Sequence, residues 1–167
     1  MFQSVDPKQL DFSVFSMLDD RWMLVTAGNR DNCNTMTASW GGFGVLWNRM
    51  VATCYLRPQR YTKTFADKED YFTLSFFGED YHEALRLCGT KSGREVDKIN
   101  ECGFSLDYAE GDAPYLQEAE LVFICKKLYR DSVKPECFTD KGPLDCYPKK
   151  DYHDFYIGEI VQVLQRA

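Results

Sequence analysis

The sequence predicts a mainly β protein with a helical insertion, an antiparallel barrel or sandwich whose helices pack outside it. Three observations carry this expectation. Short segments of alternating apolar residues lie toward both ends of the chain, residues at helical spacing cluster in the middle, and the regular strand-helix-strand repeat of a doubly wound fold is missing.

The elements follow in order. Trp22 to Ala27 alternates as a half-buried strand does, and a second strand covers Cys33 to Trp40. Met50, Ala52, Cys54 and Leu56 share one face of the next strand, with Val51, Thr53, Tyr55 and Arg57 on the other. A short helix begins near Thr62 and runs to about Lys68. Phe72, Leu74 and Phe76 define another strand, Leu121 to Tyr129 a further one, and Phe155 to Leu164 the last. These segments are rich in β-branched and aromatic residues, which suit a pleated, half-buried surface.

Between them, Asp80 and Glu83 form a capping-box pair ahead of a stripe of Tyr81, Ala84, Leu85 and Cys88, and Gly89 is read as the helix stop. Ser92 and Glu95 repeat the pair, Val96 and Ile99 supply the buried stripe, and Gly103 ends that second helix. From Asp131 to Tyr152, Pro135, Gly142, Pro143 and Pro148 interrupt any periodicity, so this segment reads as a long loop or arm. A loop of that length in a compact domain commonly covers a site or grips a partner.

Composition narrows the function. The chain has 167 residues, 44% of them hydrophobic and 15% aromatic, enough for one domain, residues 1–167, with an ordinary core. A formal charge of -6 offers no basic field for a polyphosphate, so nucleic acid is not an expected partner. Neither an apolar run of bilayer length nor a basic, apolar leader is present, so no membrane association and a cytoplasmic location are expected. The seven cysteines are scattered without a C-x-x-C pair and read as reduced thiols. Two histidines, His82 and His153, stand apart from any cysteine pair and read as surface residues, so no metal centre is expected.

Nucleophilic chemistry has no local support, and Gly89-Thr90-Lys91-Ser92 lacks the glycine before lysine and the preceding strand that a P-loop needs. What survives is an anion site spread over helix starts, where free N–H groups and the dipole favour phosphate. Basic residues gather at two of them, Arg57-Pro58-Gln59-Arg60-Tyr61-Thr62-Lys63 and Lys91-Ser92-Gly93-Arg94. Solvated surface charges with ordinary caps would give the same spacing. The stretch Asn34 to Gly44 adds hydroxyls alternating with small residues, then glycines beside Trp40, Phe43 and Trp47, a wall suited to a planar heteroaromatic. A plain strand and tight turn with core aromatics is the alternative.

Taken in order, Asn34 to Gly44, Tyr55-Leu56-Arg57-Pro58-Gln59-Arg60-Tyr61-Thr62, Phe72-Thr73-Leu74-Ser75-Phe76-Phe77 and Cys88-Gly89-Thr90-Lys91-Ser92-Gly93-Arg94 resemble the flavin reductase-like, flavoredoxin-type family over roughly residues 10 to 165. The resemblance implies an FMN-binding split β-barrel and a homodimer with FMN near the subunit interface. It implies that Thr35, Met36, Thr37, Ala38, Ser39 and Trp40 line the flavin beside Tyr55, that Arg57, Arg60, Tyr61 and Thr62 hold its phosphate, and that Lys91, Ser92 and Arg94 add to the phosphate end or rim. The arm from Asp131 to Tyr152 has no counterpart in that scheme.

Hydride transfer to a flavin requires stacked rings and a positioned donor, and the cofactor supplies the electronics. No catalytic dyad is therefore expected. One compact basic turn favours FMN over FAD. The expected activity is that of an NAD(P)H-dependent flavin oxidoreductase, with NAD(P)H as co-substrate and electrons passed on to an acceptor. The alternative is an FMN-binding electron carrier without nicotinamide turnover.

Overall fold

The computed structural model describes residues 1–167. Its elements run β1 (Phe2–Ser4), α1 (Val14–Ser16), β2 (Met23–Gly28), β3 (Cys33–Ala38), β4 (Gly41–Leu46), β5 (Arg49–Leu56), α2 (Tyr61–Lys68), β6 (Tyr71–Phe76), α3 (His82–Thr90), α4 (Lys98–Glu101), β7 (Leu106–Tyr108), β8 (Pro114–Leu116), β9 (Leu121–Ser132) and β10 (Asp154–Arg166). The main sheet is antiparallel with the order β3-β2-β6-β9-β10-β5-β4, and β1 joins β10, while β7 and β8 form a separate hairpin. No helix is long and apolar enough to cross a membrane.

The sheet curls because one face carries large apolar side chains on nearly every strand. Met23, Val25 and Ala27 of β2, Met36 of β3, Ala52, Cys54 and Leu56 of β5, Phe72, Leu74 and Phe76 of β6, Phe123 of β9 and Tyr156 of β10 share a single cluster. The two end strands, β3 and β4, thus face one interior without pairing, and the barrel is split between them. The alternate residues are also buried where the helices cover the outside. Leu24 of β2 and Val122 and Ile124 of β9 pack with Leu85 and Cys88 of α3 and with Phe104, Tyr115 and Leu116. The antiparallel split barrel with outer helices matches the architecture expected from the alternating segments.

Strand β4 departs from the sequence reading, which treated its glycines as open space beside a ligand. Gly41, Gly42 and Gly44 each cost about 0.5–1 kcal/mol in a strand. Phe43 offsets part of this, since it packs partly buried against Phe123 and Phe76 with centroids 4.6 and 6.2 Å away, and an aromatic pair contributes about 0.5–1.5 kcal/mol. Trp47 and Asn48, at φ 53° and 58°, then make the two-residue turn that matches strand twist and leads into β5.

The helical insertion also differs. Asp80 lies in a 3-10 turn and no side chain caps α3. Gly89 sits inside α3, which continues to Thr90. A Cβ there would lie 3.4 Å from the Thr37 Cβ, so its role is close approach of helix to strand. Ser92 does not start a helix. Asp97 caps the four-residue α4 by accepting from the Asn100 N–H, and the residue buried on that helix is Lys98 and not Val96 or Ile99. Gly103, at φ +67°, does stop it. The arm is shorter than read, because β9 extends to Ser132 and pairs with Asp154.

Gly158 on β10 sits beside a register shift against β9, and an added Cβ would lie 2.7 Å from the Phe72 ring and 2.8 Å from the Cys125 Cβ. Gly158→Ala is expected to cost about 1–3 kcal/mol through overpacking, read as a lower urea midpoint with an unchanged slope. An unchanged midpoint would mean that the Phe72 ring gives way freely.

Candidate functional site

The C-terminal half of β3 leaves the covered part of the sheet and becomes the floor of two joined clefts. The larger, about 330 Å³, is lined by Met36, Thr37, Ala38, Ser39, Trp40, Tyr55, Arg57, Gln59, Arg60 and His153. The smaller, about 160 Å³, is lined by Met36, Gln59, Arg60, Tyr61, Thr62, Thr90, Lys91, Ser92, Gly93 and Lys98. Met36, Gln59 and Arg60 belong to both, so the clefts form one continuous groove.

The smaller cleft holds three cationic side chains and four hydroxyls, and no carboxylate. In a chain of net charge -6 that imbalance marks a place for an anion. Helix α2 opens onto it with no side chain capping its first turn, which leaves backbone N–H groups free for an anionic oxygen. Thr62 is fully buried. Its hydroxyl accepts from Asn34 Nδ2 at 2.7 Å, which leaves its own proton available.

Lys98, 3% exposed, donates to the carbonyls of Thr35 at 2.9 Å and Cys88 at 2.8 Å, which leaves its third N–H. Burial, to which the nearby Arg60 charge adds, pulls its pKa down to about 8. No carboxylate bonds it. Such a buried ammonium is costly unless something else compensates its charge.

Arg60 is a brace as much as a ligand. Its guanidinium donates to the Gly89 carbonyl at 2.7 Å and the Thr37 carbonyl at 3.4 Å, and its Nε lies 3.5 Å from the Met36 sulfur. It therefore joins α2, α3 and β3 at the point where the clefts meet.

Arg57 serves the larger cleft. It pairs with Asp151 at 2.7 Å, donates to the Cys146 carbonyl at 2.9 Å and lies over the Tyr147 ring at 5.2 Å. The arm is thereby folded back onto the groove. Asp151 also accepts from Gln59 at 2.9 Å, and these two donors hold its carboxyl below the ordinary carboxylate range. Through the same arm Tyr147 reaches His153 Nδ1 at 2.9 Å, and the His153 ring packs against Trp40 at 4.8 Å.

His153 is thus buried, not the surface residue that its isolation in the sequence suggested. Burial first, and the Arg57 charge second, pull its pKa down to about 4, so the ring is neutral near pH 7. With Nδ1 engaged by Tyr147, the Nε2 edge is the one left for the cleft.

The structure brings together Met36, Thr37, Ala38, Ser39, Trp40, Tyr55, Arg57, Arg60, Tyr61, Thr62, Lys91 and Ser92 along the groove. Two expected residues lie elsewhere. Thr35 is fully buried, its hydroxyl bonded to Thr26 at 2.9 Å and to the Val25 carbonyl at 3.3 Å, and only its carbonyl is presented, to Lys98. Arg94 stacks on the Tyr61 ring at 4.5 Å, donates to the Gln59 carbonyl and lines an adjoining cleft of mixed charge with Asp31, Glu95 and Asp97, which shares Tyr61, Gly93 and Lys98 with the smaller one. Of the three proposed wall aromatics only Trp40 faces the groove, since Phe43 is in the barrel and Trp47 at the hairpin tip lies 6.2 Å from Tyr129.

Lys98 and His153 were missed. The capping aspartate before Lys98 was the one available signal, because it moves the helix start and so turns that lysine inward.

The neutral His153 has a consequence for stability. The unfolded chain takes up a proton near pH 6.5 and the folded chain only near 4, so stability is intact above 6.5 and is lost as pH falls through that interval. His153→Gln is expected to remove that part of the acid sensitivity, seen as a smaller drop in melting temperature across the interval than in the parent. Equal drops would place the acid sensitivity in other groups.

The chain's sequence from residue 18 to 167 matches the model of the family described as flavin reductase like domain. No curated protein sequence matches. Among solved structures it is similar to the flavoredoxin of Desulfovibrio vulgaris (24% identity, TM-score 0.68), over 87% of this chain and 69% of that one. An FMN-binding domain of a flavin reductases-like enzyme from Shewanella baltica gives a TM-score of 0.71 at 17% identity, over 99% and 77% of the two chains. The Streptomyces globisporus NADH:FAD oxidoreductase, solved with NAD and FAD fragments, gives 0.65 at 16% identity, over 87% and 74%. With an antiparallel split barrel and a match spanning nearly its whole length, this chain belongs to the flavin reductase-like family.

Proposed function

We propose that the chain binds FMN, with the phosphate in the smaller cleft and the planar ring along the end of β3 in the larger one, and that it works as an NAD(P)H-dependent flavin oxidoreductase. The observation that carries this reading is the acid-free pocket with Arg60, Lys91, Lys98 and four hydroxyls, sized for a phosphate and open to a longer groove. Thr62, Lys91, Ser92 and Lys98 would hold the phosphate, and Thr37, Ala38, Ser39, Trp40, Tyr55 and His153 would border the ring.

Bound FMN would supply the hydride-accepting centre, and a reduced nicotinamide the hydride. The chain's own residues bind, orient and exclude water. Arg57 holds the arm, the arm holds Tyr147, and Tyr147 fixes the tautomer of His153 so that Nε2 carries its proton toward the cleft. Steady oxidation of NADH or NADPH by the purified protein with added FMN tests the activity. A protein that holds FMN and fails to turn over either nicotinamide is an electron carrier.

A homodimer is part of the same reading. An aromatic series, Tyr55, Phe155, Tyr129 and Trp47, spaced 5.9 to 6.2 Å between centroids, runs from the cleft wall to the exposed tip of the β4–β5 hairpin, where Val45 and Leu46 are also exposed. A second copy on that surface would bury these rings beside the flavin site.

Two outcomes are expected. Lys91→Ala should weaken FMN roughly tenfold or more, because a charge-assisted bond contributes about 1.5–3 kcal/mol, and should leave riboflavin, which has no phosphate, unaffected. Equal losses for both ligands would move the phosphate elsewhere. Trp47→Glu should shift sedimentation from dimer to monomer and lower FMN affinity with it. A monomeric parent with flavin bound would defeat the dimer.

A further inference from the structure

We propose that Cys88 and Cys102 form a reversible disulfide that closes the loop carrying the cationic side of the phosphate pocket. Their sulfurs are 3.8 Å apart, a contact already made in the reduced state. Cys88 is fully buried on α3, and Cys102 is half-buried at the C-terminal end of α4. Between them lie Thr90, Lys91, Ser92, Gly93 and Lys98, half of the lining of the smaller cleft.

The Cys88 end of this loop also anchors the pocket. The Cys88 carbonyl accepts from Lys98 at 2.8 Å, and the next carbonyl, that of Gly89, accepts from Arg60 at 2.7 Å. At the Cys102 end, α4 is only four residues long, and its first turn is held by a single side-chain cap. A sulfur–sulfur bond of about 2.05 Å needs an approach of less than about 2 Å, which side-chain rotation and a small shift of so short a helix can supply.

The reaction is thiol–disulfide exchange with a low-molecular-weight disulfide. Cys102, the less buried thiol, attacks as thiolate; the reagent's sulfur–sulfur bond breaks and one thiol leaves. Cys88 then gives up its proton and displaces the second thiol from the mixed disulfide. Two protein thiols lose two electrons and two protons, and the small disulfide gains them as two thiols. Burial holds both thiols above the ordinary range, Cys88 at about 12, which places the first attack on Cys102. The cross-link removes motion between α3 and α4 and so fixes Lys91, Ser92 and Lys98 around their anion. The effect on FMN rests on the flavin reading above, whereas the cross-link does not.

The full chain is equilibrated with oxidised glutathione, digested without reduction and mapped by mass spectrometry, and then titrated with FMN. The expected result is a Cys88–Cys102 linked peptide that dithiothreitol reverses, a melting temperature raised by several degrees, and FMN bound roughly three- to tenfold more tightly than by the reduced protein. Cys102→Ser, treated in the same way, should show none of these changes, and Cys88→Ala serves where that variant folds poorly. A map without this link, or with the exposed Cys137 and Cys146 as the only oxidised sites, overturns the proposal. A formed link with unchanged FMN affinity overturns its coupling to the pocket. Absence of FMN binding by the reduced parent overturns the flavin reading instead, and the map and melting temperature then decide the disulfide alone.

Discussion

Everything at the site depends on one guanidinium. Arg60 stands before α2, and its donors end on the backbone of α3 and of β3, two elements that no strand ladder joins at that point. Carbonyls at the end of a helix and along an unpaired strand edge need donors. A side chain with a planar fork can serve both at once. The groove therefore exists as a by-product of satisfying backbone acceptors. The same brace gives the smaller cleft one of its three cations.

A second tether, Arg57, does the corresponding work on the other side. Its three interactions all fall on the arm after β9, so a proline-rich segment that would otherwise be solvated is held against the larger cleft, to which it contributes His153. The histidine at the end of that arm is neutral because it is buried beside this arginine. Charge placed for anchoring thus sets the protonation of the one imidazole in the groove.

Most of the barrel was legible in the sequence because alternation reports burial on one face. Met50, Ala52, Cys54 and Leu56 do share an interior face, and Phe72, Leu74 and Phe76 do likewise. β4 was not legible, since Gly41, Gly42 and Gly44 suppress the alternation that Phe43 would otherwise show. The Ser92 capping pair misled because the Ser92 hydroxyl accepts from the Arg94 N–H in a turn, while the helix itself starts after Asp97, which accepts from the Asn100 N–H. Of the groove, Thr37 to Trp40, Arg57 to Thr62 and Lys91-Ser92 stand out in the sequence as hydroxyls and basic residues at element ends, and the family resemblance gave them their roles. Lys98 and His153 do not, because burial of a charged or polar group by carbonyls and a distant tyrosine leaves no periodic trace.

Strand β10 pairs with β9 along nearly its whole length, with β5 over its first half and with β1 at its end, so the middle of the sheet is supplied by the last strand of the barrel in chain order. A ribosome therefore releases β5 and β9 with bare edges and must make the rest of the barrel before their common neighbour exists. Contacts this remote in sequence are slow to form, and the two open edges are available to other chains in the interval. Closure of this barrel therefore waits on β10, and its yield in a crowded cell is set by how long β5 and β9 wait.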